Sequence, residues 1–156
     1  MQKITTFLWF DDKAEEAAKF YVSIFKDSRI TEVVQKTPSV PGPSKVLVVR
    51  FQLQGQEFIA LNGGPGHPFT DAISLSVDCA DQKEVDAIWE KLTADGGSPI
   101  ACGWLKDKYG LAWQVVPNAM VKMMSDQDPV KVDRVMQVMM KMVKLDIAAL
   151  KKAYDG

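Results

Sequence analysis

The chain has 156 residues, 19 Lys and Arg against 20 Asp and Glu, one His and two Cys; 47% of it is hydrophobic and 25% charged. This is the size and composition of one globular domain, long enough to bury about 70% of its unfolded surface without disulfides or metal. A net charge of -1 argues against a nucleic-acid or anionic-membrane binder, and a single His excludes any site built from two histidines of one chain.

The first residues, Met1 to Phe7, carry one positive charge and no long apolar run, so they do not read as a signal peptide. No stretch approaches the ~18 apolar residues of a membrane span. The expectation is a cytoplasmic protein with Cys79 and Cys102 reduced.

Ile4 to Phe10 reads as a strand. Asp12, with Glu15 three residues on, has the form of a capping box. Ala17, Phe20, Tyr21 and Ile24 then follow at helical spacing. Strands are predicted at Ile30 to Val34, Val46 to Leu53 and Phe58 to Leu61, the last two joined by a turn at Gln54-Gly55-Gln56. Asn62-Gly63-Gly64-Pro65-Gly66-His67-Pro68 is a turn-rich joint.

The pattern then repeats. Ile73, Leu75 and Val77 alternate with Ser74, Ser76 and Asp78 as a half-buried strand. Asp81 and Glu84 form a second capping box, 69 residues after the first. Val85, Ile88, Trp89 and Leu92 form a second helical face, 68 residues after its counterpart. Gly96 and Gly97 stop the helix. Cys102 to Lys106 and Leu111 to Val116 flank a turn at Lys108-Tyr109-Gly110, completing βαβββ twice. Beyond Pro117 the chain turns helical: Ala119 to Met124, a helix capped by Asp128 and Pro129 running to about Val143, and a third capped by Asp146. Seven of the eight Met fall between Met120 and Met142, an adaptable apolar surface for packing on the domain or across a dimer.

Two copies of βαβββ, together with specific runs, resemble the glyoxalase/bleomycin-resistance/dioxygenase (vicinal oxygen chelate, VOC) superfamily. The runs are Leu8-Trp9-Phe10-Asp11, Phe20-Tyr21-Val22-Ser23-Ile24-Phe25, Phe58-Ile59-Ala60-Leu61-Asn62-Gly63-Gly64, and the stretch from Cys102 through Gly110 to Pro117. They look like the PhnB-like branch, often labelled 3-demethylubiquinone-9 3-methyltransferase-like. The resemblance implies an α+β fold: two tandem βαβββ modules forming a cupped sheet, with a C-terminal helical tail. The expected division is a single domain with modules at 2–63 and 70–117 and tail helices at 118–156. A homodimer is implied as well.

In metal-dependent relatives the first and last strands of each module supply the ligands. Carried onto this chain, those positions fall near Thr5 and Ala72, at Gln114, and at Ile59 or Ala60. Only Gln114 offers a good donor, so no metal and no cofactor are expected. The methyltransferase label calls for S-adenosylmethionine. Gly63-Gly64-Pro65-Gly66 contains a proline and leads toward a strand, unlike the glycine turn that opens a nucleotide-binding helix.

Strand alternation sends Ser74 and Ser76 to the face opposite Ile73, Leu75 and Val77. By family parity Thr5, Phe7, Trp9 and Gln114 share the cup, with Asn62 and Trp104 at its rim. These eight are the candidate ligand-binding residues: aromatic surface with a few hydrogen-bonding groups, the usual chemistry of a small-molecule site. The expected function is a metal-independent binder of a small aromatic or amphipathic molecule, a class that includes sequestration roles. The alternatives are an enzyme of the superfamily (a metal-assisted lyase, isomerase or dioxygenase, or the labelled methyltransferase) and a homodimeric interaction protein.

Overall fold

A computed structural model describes residues 2–156. By its internal contacts the chain divides into a unit ending at Pro68 and a unit spanning Phe69–Gly156.

The first unit contains β1 (Thr6–Phe10), α1 (Ala14–Ile24), β2 (Arg29–Gln35), β3 (Val46–Leu53) and β4 (Gln56–Asn62). Its sheet has the order β1-β4-β3-β2, with β1 parallel to β4 and the other pairs antiparallel. The parallel pair follows from the α1 crossover; of the antiparallel pairs, β3–β4 closes through a two-residue turn and β2–β3 through a ten-residue loop. Helix α1 packs on β3 and β4. Between them lie Leu8, Phe10, Tyr21, Val49, Phe51 and Phe58, all buried. Phe51 stacks with Tyr21 at 6.2 Å and with Phe58 at 5.5 Å between ring centroids.

The start of α1 departs from the sequence expectation. Asp12 is exposed, and the residue preceding the helix, Lys13, makes no side-chain cap. The cap comes from the far end of β4: Asn62 Oδ1 accepts the Ala14 N–H at 2.8 Å.

The second unit repeats the order with β5 (Ser74–Cys79), α2 (Gln82–Thr93), a 3-10 turn at Ala94–Gly96, β6 (Ser98–Pro99), β7 (Trp104–Lys106) and β8 (Ala112–Pro117). The sheet is β5-β8-β7-β6, with β5 parallel to β8. Here the capping box forms. Asp81 Oδ1 accepts the Glu84 N–H at 2.8 Å, and Glu84 reaches back to the Ala80 N–H at 2.7 Å. Val85, Leu92, Leu105, Trp113 and Val115 form the core under α2. Ile73 falls outside β5 and is exposed, so the alternation holds only from Ser74 onward.

The same unit carries α3 (Asn118–Met124), α4 (Pro129–Met139) and α5 (Ile147–Asp155). Helix α4 ends four residues before the expected Val143. The segment that follows is used instead to bind the loop before β7: the Cys102 and Gly103 N–H groups donate to the Met142 and Val143 carbonyls, each at 2.8 Å. Gly103 is required there. Its φ is +84°, and a Cβ would lie 2.8 Å from Leu145 Cδ1 and 3.0 Å from the Val115 carbonyl. Cys102, expected to begin a strand, lies in this turn with φ +54°. Met123, Val135, Leu145 and Leu150 close a small core of their own, with Met120, Met124, Met139 and Met142 packed around it. Much of the methionine surface is therefore satisfied within the tail. Gln82 at the start of α2 ties the tail down, donating to the Leu145 carbonyl at 3.1 Å and accepting the Ile147 N–H at 2.8 Å. Among the described residues no helix is long and apolar enough to cross a membrane.

Candidate functional site

Each sheet has one face under its helix and one open face, and most of the candidate residues lie on the open faces. In the second unit, pairing fixes the arrangement. Ser76 is opposite Gln114, and Gln114 is opposite Trp104, so the three form one row across β5, β8 and β7. Gln114 Nε2 donates to Ser74 Oγ at 3.0 Å. Four of the eight candidates therefore form one patch. Lys106, in the adjoining row with Ala112 and Ser74, pairs with Asp71 at 3.1 Å. The other face of the same strands holds Leu105, Trp113 and Val115, all buried.

Asp107, which follows Lys106, turns away from this patch and is 2% exposed. It accepts the Tyr109 and Leu111 N–H groups at 2.8 and 3.1 Å and the Trp113 indole N–H at 2.9 Å. A carboxylate that takes three donors in the interior organises the β7–β8 turn and orients the tryptophan. That requirement accounts for the Asp, the Gly and the Trp in the stretch from Cys102 to Pro117.

In the first unit, Leu8 and Phe10 face α1, while Phe7 and Trp9 lie on the open face, 57% and 36% exposed. Pairing places Phe7 in a row with Ile59, Arg50 and Glu32, and Trp9 in a row with Leu61, Val48 and Val34. Trp9 is held by the joint between the units' strands. Its indole N–H donates to the Gly64 carbonyl at 2.9 Å, and the His67 ring lies 4.3 Å away at 46°. A Cβ on Gly63 would fall 2.3 Å from the Trp9 ring, so the glycine admits the indole. Thr5, one residue before β1, lines a cavity of about 30 Å³ with Thr31, Arg50, Glu57 and Ile59. Asn62 is placed apart from these. It is 3% exposed, and beyond its cap to Ala14 its amide donates to Ser44 Oγ at 3.1 Å and the Val46 carbonyl at 3.0 Å.

The register also resolves the fourth carried-over ligand position. Ile59 shares the face of Phe7 as Gln114 shares the face of Ser76, whereas Ala60 faces α1. The superfamily's metal does not fit this donor set. Ile59 and Ala72 carry no donor atom, which leaves only the Thr5 hydroxyl and the Gln114 amide oxygen at the four positions, short of the three or four donors a metal needs. Among the described residues no group of three His, Cys, Asp or Glu side chains is placed to hold a metal ion. S-adenosylmethionine fits no better. The space over Gly63, where a cofactor would need close backbone approach, is filled by the Trp9 ring, and the Gly64 carbonyl is bonded to it.

Cys79 is fully buried, and burial, reinforced by Glu84, Asp78 and Asp81, pushes its thiol up to about 12. It is a packing residue with no nucleophilic character near neutrality. Sequence reasoning missed Arg50, Glu32 and Glu57. Arg50 stands between buried Val49 and Phe51, and that alternation alone directs it to the open face.

Two four-stranded sheets, each built as βαβββ, define a protein of the glyoxalase/bleomycin-resistance fold. Comparison with solved structures agrees. A glyoxylase/bleomycin resistance protein/dioxygenase domain from Frankia sp. EAN1pec is 13% identical with a TM-score of 0.51, over 75% of this chain and 92% of that one. The fosfomycin resistance protein FosX from Listeria monocytogenes is 14% identical with a TM-score of 0.52, over 76% and 93%. A PhnB protein from Bacillus cereus is 39% identical with a TM-score of 0.68, over 74% of this chain and 99% of that one. The family model described as 3-demethylubiquinone-9 3-methyltransferase matches residues 2–116. The chain belongs to this PhnB-like family, and the matched region ends just before α3. A search of curated proteins finds no match.

Proposed function

We propose that this protein binds a small, partly aromatic or amphipathic organic molecule on the open faces of its sheets, without a metal. The observation that carries the reading is the row Ser76–Gln114–Trp104, in which hydrogen-bonding groups and an indole share the face opposite the buried Leu105, Trp113 and Val115. A face of this kind offers an apolar platform with a few fixed donors and acceptors, which is how small-molecule sites combine affinity with orientation. The fosfomycin-resistance description of the Listeria relative is in keeping with a sequestration or resistance role. A cytoplasmic location and a homodimer are part of the proposal. The two free thiols support the first. Exposed Val121, Val130, Met140 and Val143 on the tail provide apolar surface for the second.

The test is a thermal-shift and tryptophan-fluorescence screen of small aromatic compounds, with and without a chelator. A ligand at a hundred times its Kd stabilises the fold by about 2.7 kcal/mol, a shift of several degrees. The expected result is a shift indifferent to chelator and reduced by Trp104→Ala or Trp9→Ala. A shift abolished by chelator, or affinities unchanged in both variants, would overturn the reading.

A further inference from the structure

The open face of the first sheet is graded along its strands. One row, Trp9, Leu61, Val48 and Val34, is wholly apolar. The next, Phe7, Ile59, Arg50 and Glu32, is half charged. The third places Glu57, Gln52 and Arg29 side by side, with Thr5 at the same end. Rows on one face are two residues apart, about 7 Å along the strand. The face therefore passes from apolar to polar within roughly the length of a small amphipathic molecule.

We infer that this face takes a small organic oxyanion, its head group held by Arg50 and its apolar body laid over Phe7 and Trp9. The inference rests on the proposed binding function and gives it a ligand class. Glu32 approaches Arg50 through Nε, at 2.8 Å, and both side chains are about half exposed. Such an exposed pair is weak and easily shared. The 2.8 Å contact is made at Nε, and the terminal nitrogens are the groups that would meet a second planar oxyanion in the fork geometry that arginine favours. No other carboxylate or carbonyl among the described residues bonds to those nitrogens. The cavity of about 30 Å³ beside Arg50 has room for one water-sized group, such as a ligand oxygen. Thr5 and Thr31 line it together with Glu57, Ile59 and the buried Phe51 and Phe58. Thr31 stands at a strand irregularity between Ile30 and Glu32, the kind of place where a side chain is re-aimed. The charges at this end are balanced, Arg29 and Arg50 against Glu32 and Glu57. Glu57 already accepts from the Gln52 amide at 3.4 Å. With no net field, selection falls to the arginine fork, which can only donate.

The experiment compares three probes of one shape by calorimetry on the full chain: 3-phenylpropionate, 3-phenylpropanol and 3-phenylpropylamine. The carboxylate binds most tightly and the amine least. Arg50→Gln weakens the carboxylate roughly tenfold or more and leaves the alcohol unchanged. Glu32→Gln frees the guanidinium and tightens the carboxylate. Unfolding midpoints confirm that the variants fold, as expected for half-exposed positions. An amine that binds as well as the carboxylate overturns the inference, as does a carboxylate affinity indifferent to Arg50→Gln, or no binding of any probe at millimolar concentration. Equal binding of carboxylate and alcohol, lost in Trp9→Ala, refutes the oxyanion while leaving the binding function standing.

Discussion

Asn62 joins the end of β4 to the start of α1, and its removal is the sharpest test of how the first unit is held together. The side chain is 3% exposed and makes three hydrogen bonds, one to the Ala14 N–H, one to Ser44 Oγ and one to the Val46 carbonyl. Asn62→Ala removes a helix cap, worth about 1 kcal/mol, and two further interior hydrogen bonds at about 1 kcal/mol each. The sum is about 3 kcal/mol, a large share of the roughly 5–15 kcal/mol that stabilises a domain. In urea unfolding followed by circular dichroism, a slope of about 2 kcal/mol/M turns this into a midpoint about 1.5 M lower. Asn62→Asp keeps the cap acceptor but sets a buried, charged oxygen against the Val46 carbonyl, so it recovers none of the loss. A midpoint lowered by less than about 0.5 M in Asn62→Ala, with the slope unchanged, would refute the reasoning, because the three bonds would then be replaceable by water.

Other consequences are equally open to measurement. Asp107→Ala strips the Trp113 indole of its interior partner and is expected to cost at least about 3 kcal/mol, with Asp107→Asn losing less because one acceptor oxygen remains; the Trp113 near-ultraviolet circular dichroism reports both. In the native protein at pH 8, iodoacetamide leaves Cys79 unmodified, since its thiol titrates at about 12, and intact mass shows a second adduct only after denaturation. The tail is expected to be most firmly docked between roughly pH 5 and pH 9. Lys144 and then Gln82 hold Asp86 below its usual 3.8, and Tyr154 followed by the Asp128 N–H does the same for Asp126. Depressed carboxylates stabilise above their unfolded values, and that contribution is lost as pH falls through the folded ones. Tyr154, raised above 10.0 by its bond to Asp126, stabilises below 10.0, and its contribution is lost as pH rises through the folded value. Hydrogen exchange of the α5 amides across pH reads both limbs, and a flat profile would contradict the assignment.

The architecture was legible because its signals are local and repeated. Alternation marked the strands, 3.6-residue spacing marked the helices, and Asp81, Asp128 and Asp146 each cap the helix they precede. What failed were contacts that no local rule contains. The α1 cap comes from a residue 48 positions away. The end of α4 is set by hydrogen bonds to the loop at Cys102 and Gly103, which takes the Met142 and Val143 carbonyls out of the helix. Parity placed Phe7, Trp9, Ser74, Ser76 and Gln114 on faces correctly, since a strand leaves a side chain only two directions. It had no means of telling that the polar Asn62 lies inside, where its hydrogen bonds are, nor that Arg50 falls in the row of Phe7 and Ile59, because register is a property of paired strands.

The two modules share a plan but not a chemistry, and the difference constrains what they hold. The row Phe7–Ile59–Arg50 and the row Ser76–Gln114–Trp104 occupy corresponding strands of their sheets. At matching places stand Phe and Ser, Ile and Gln, Arg and Trp. A metal centre needs three or four N, O or S donors, and of these six residues only Gln114 and Ser76 offer an oxygen at all. Each row does pair one aromatic with polar groups, with the aromatic on the outer strand in the first and on β7 in the second. Each face taken by itself sets an aromatic side chain in a row with a polar one, a composition that suits an organic ligand better than a bare ion.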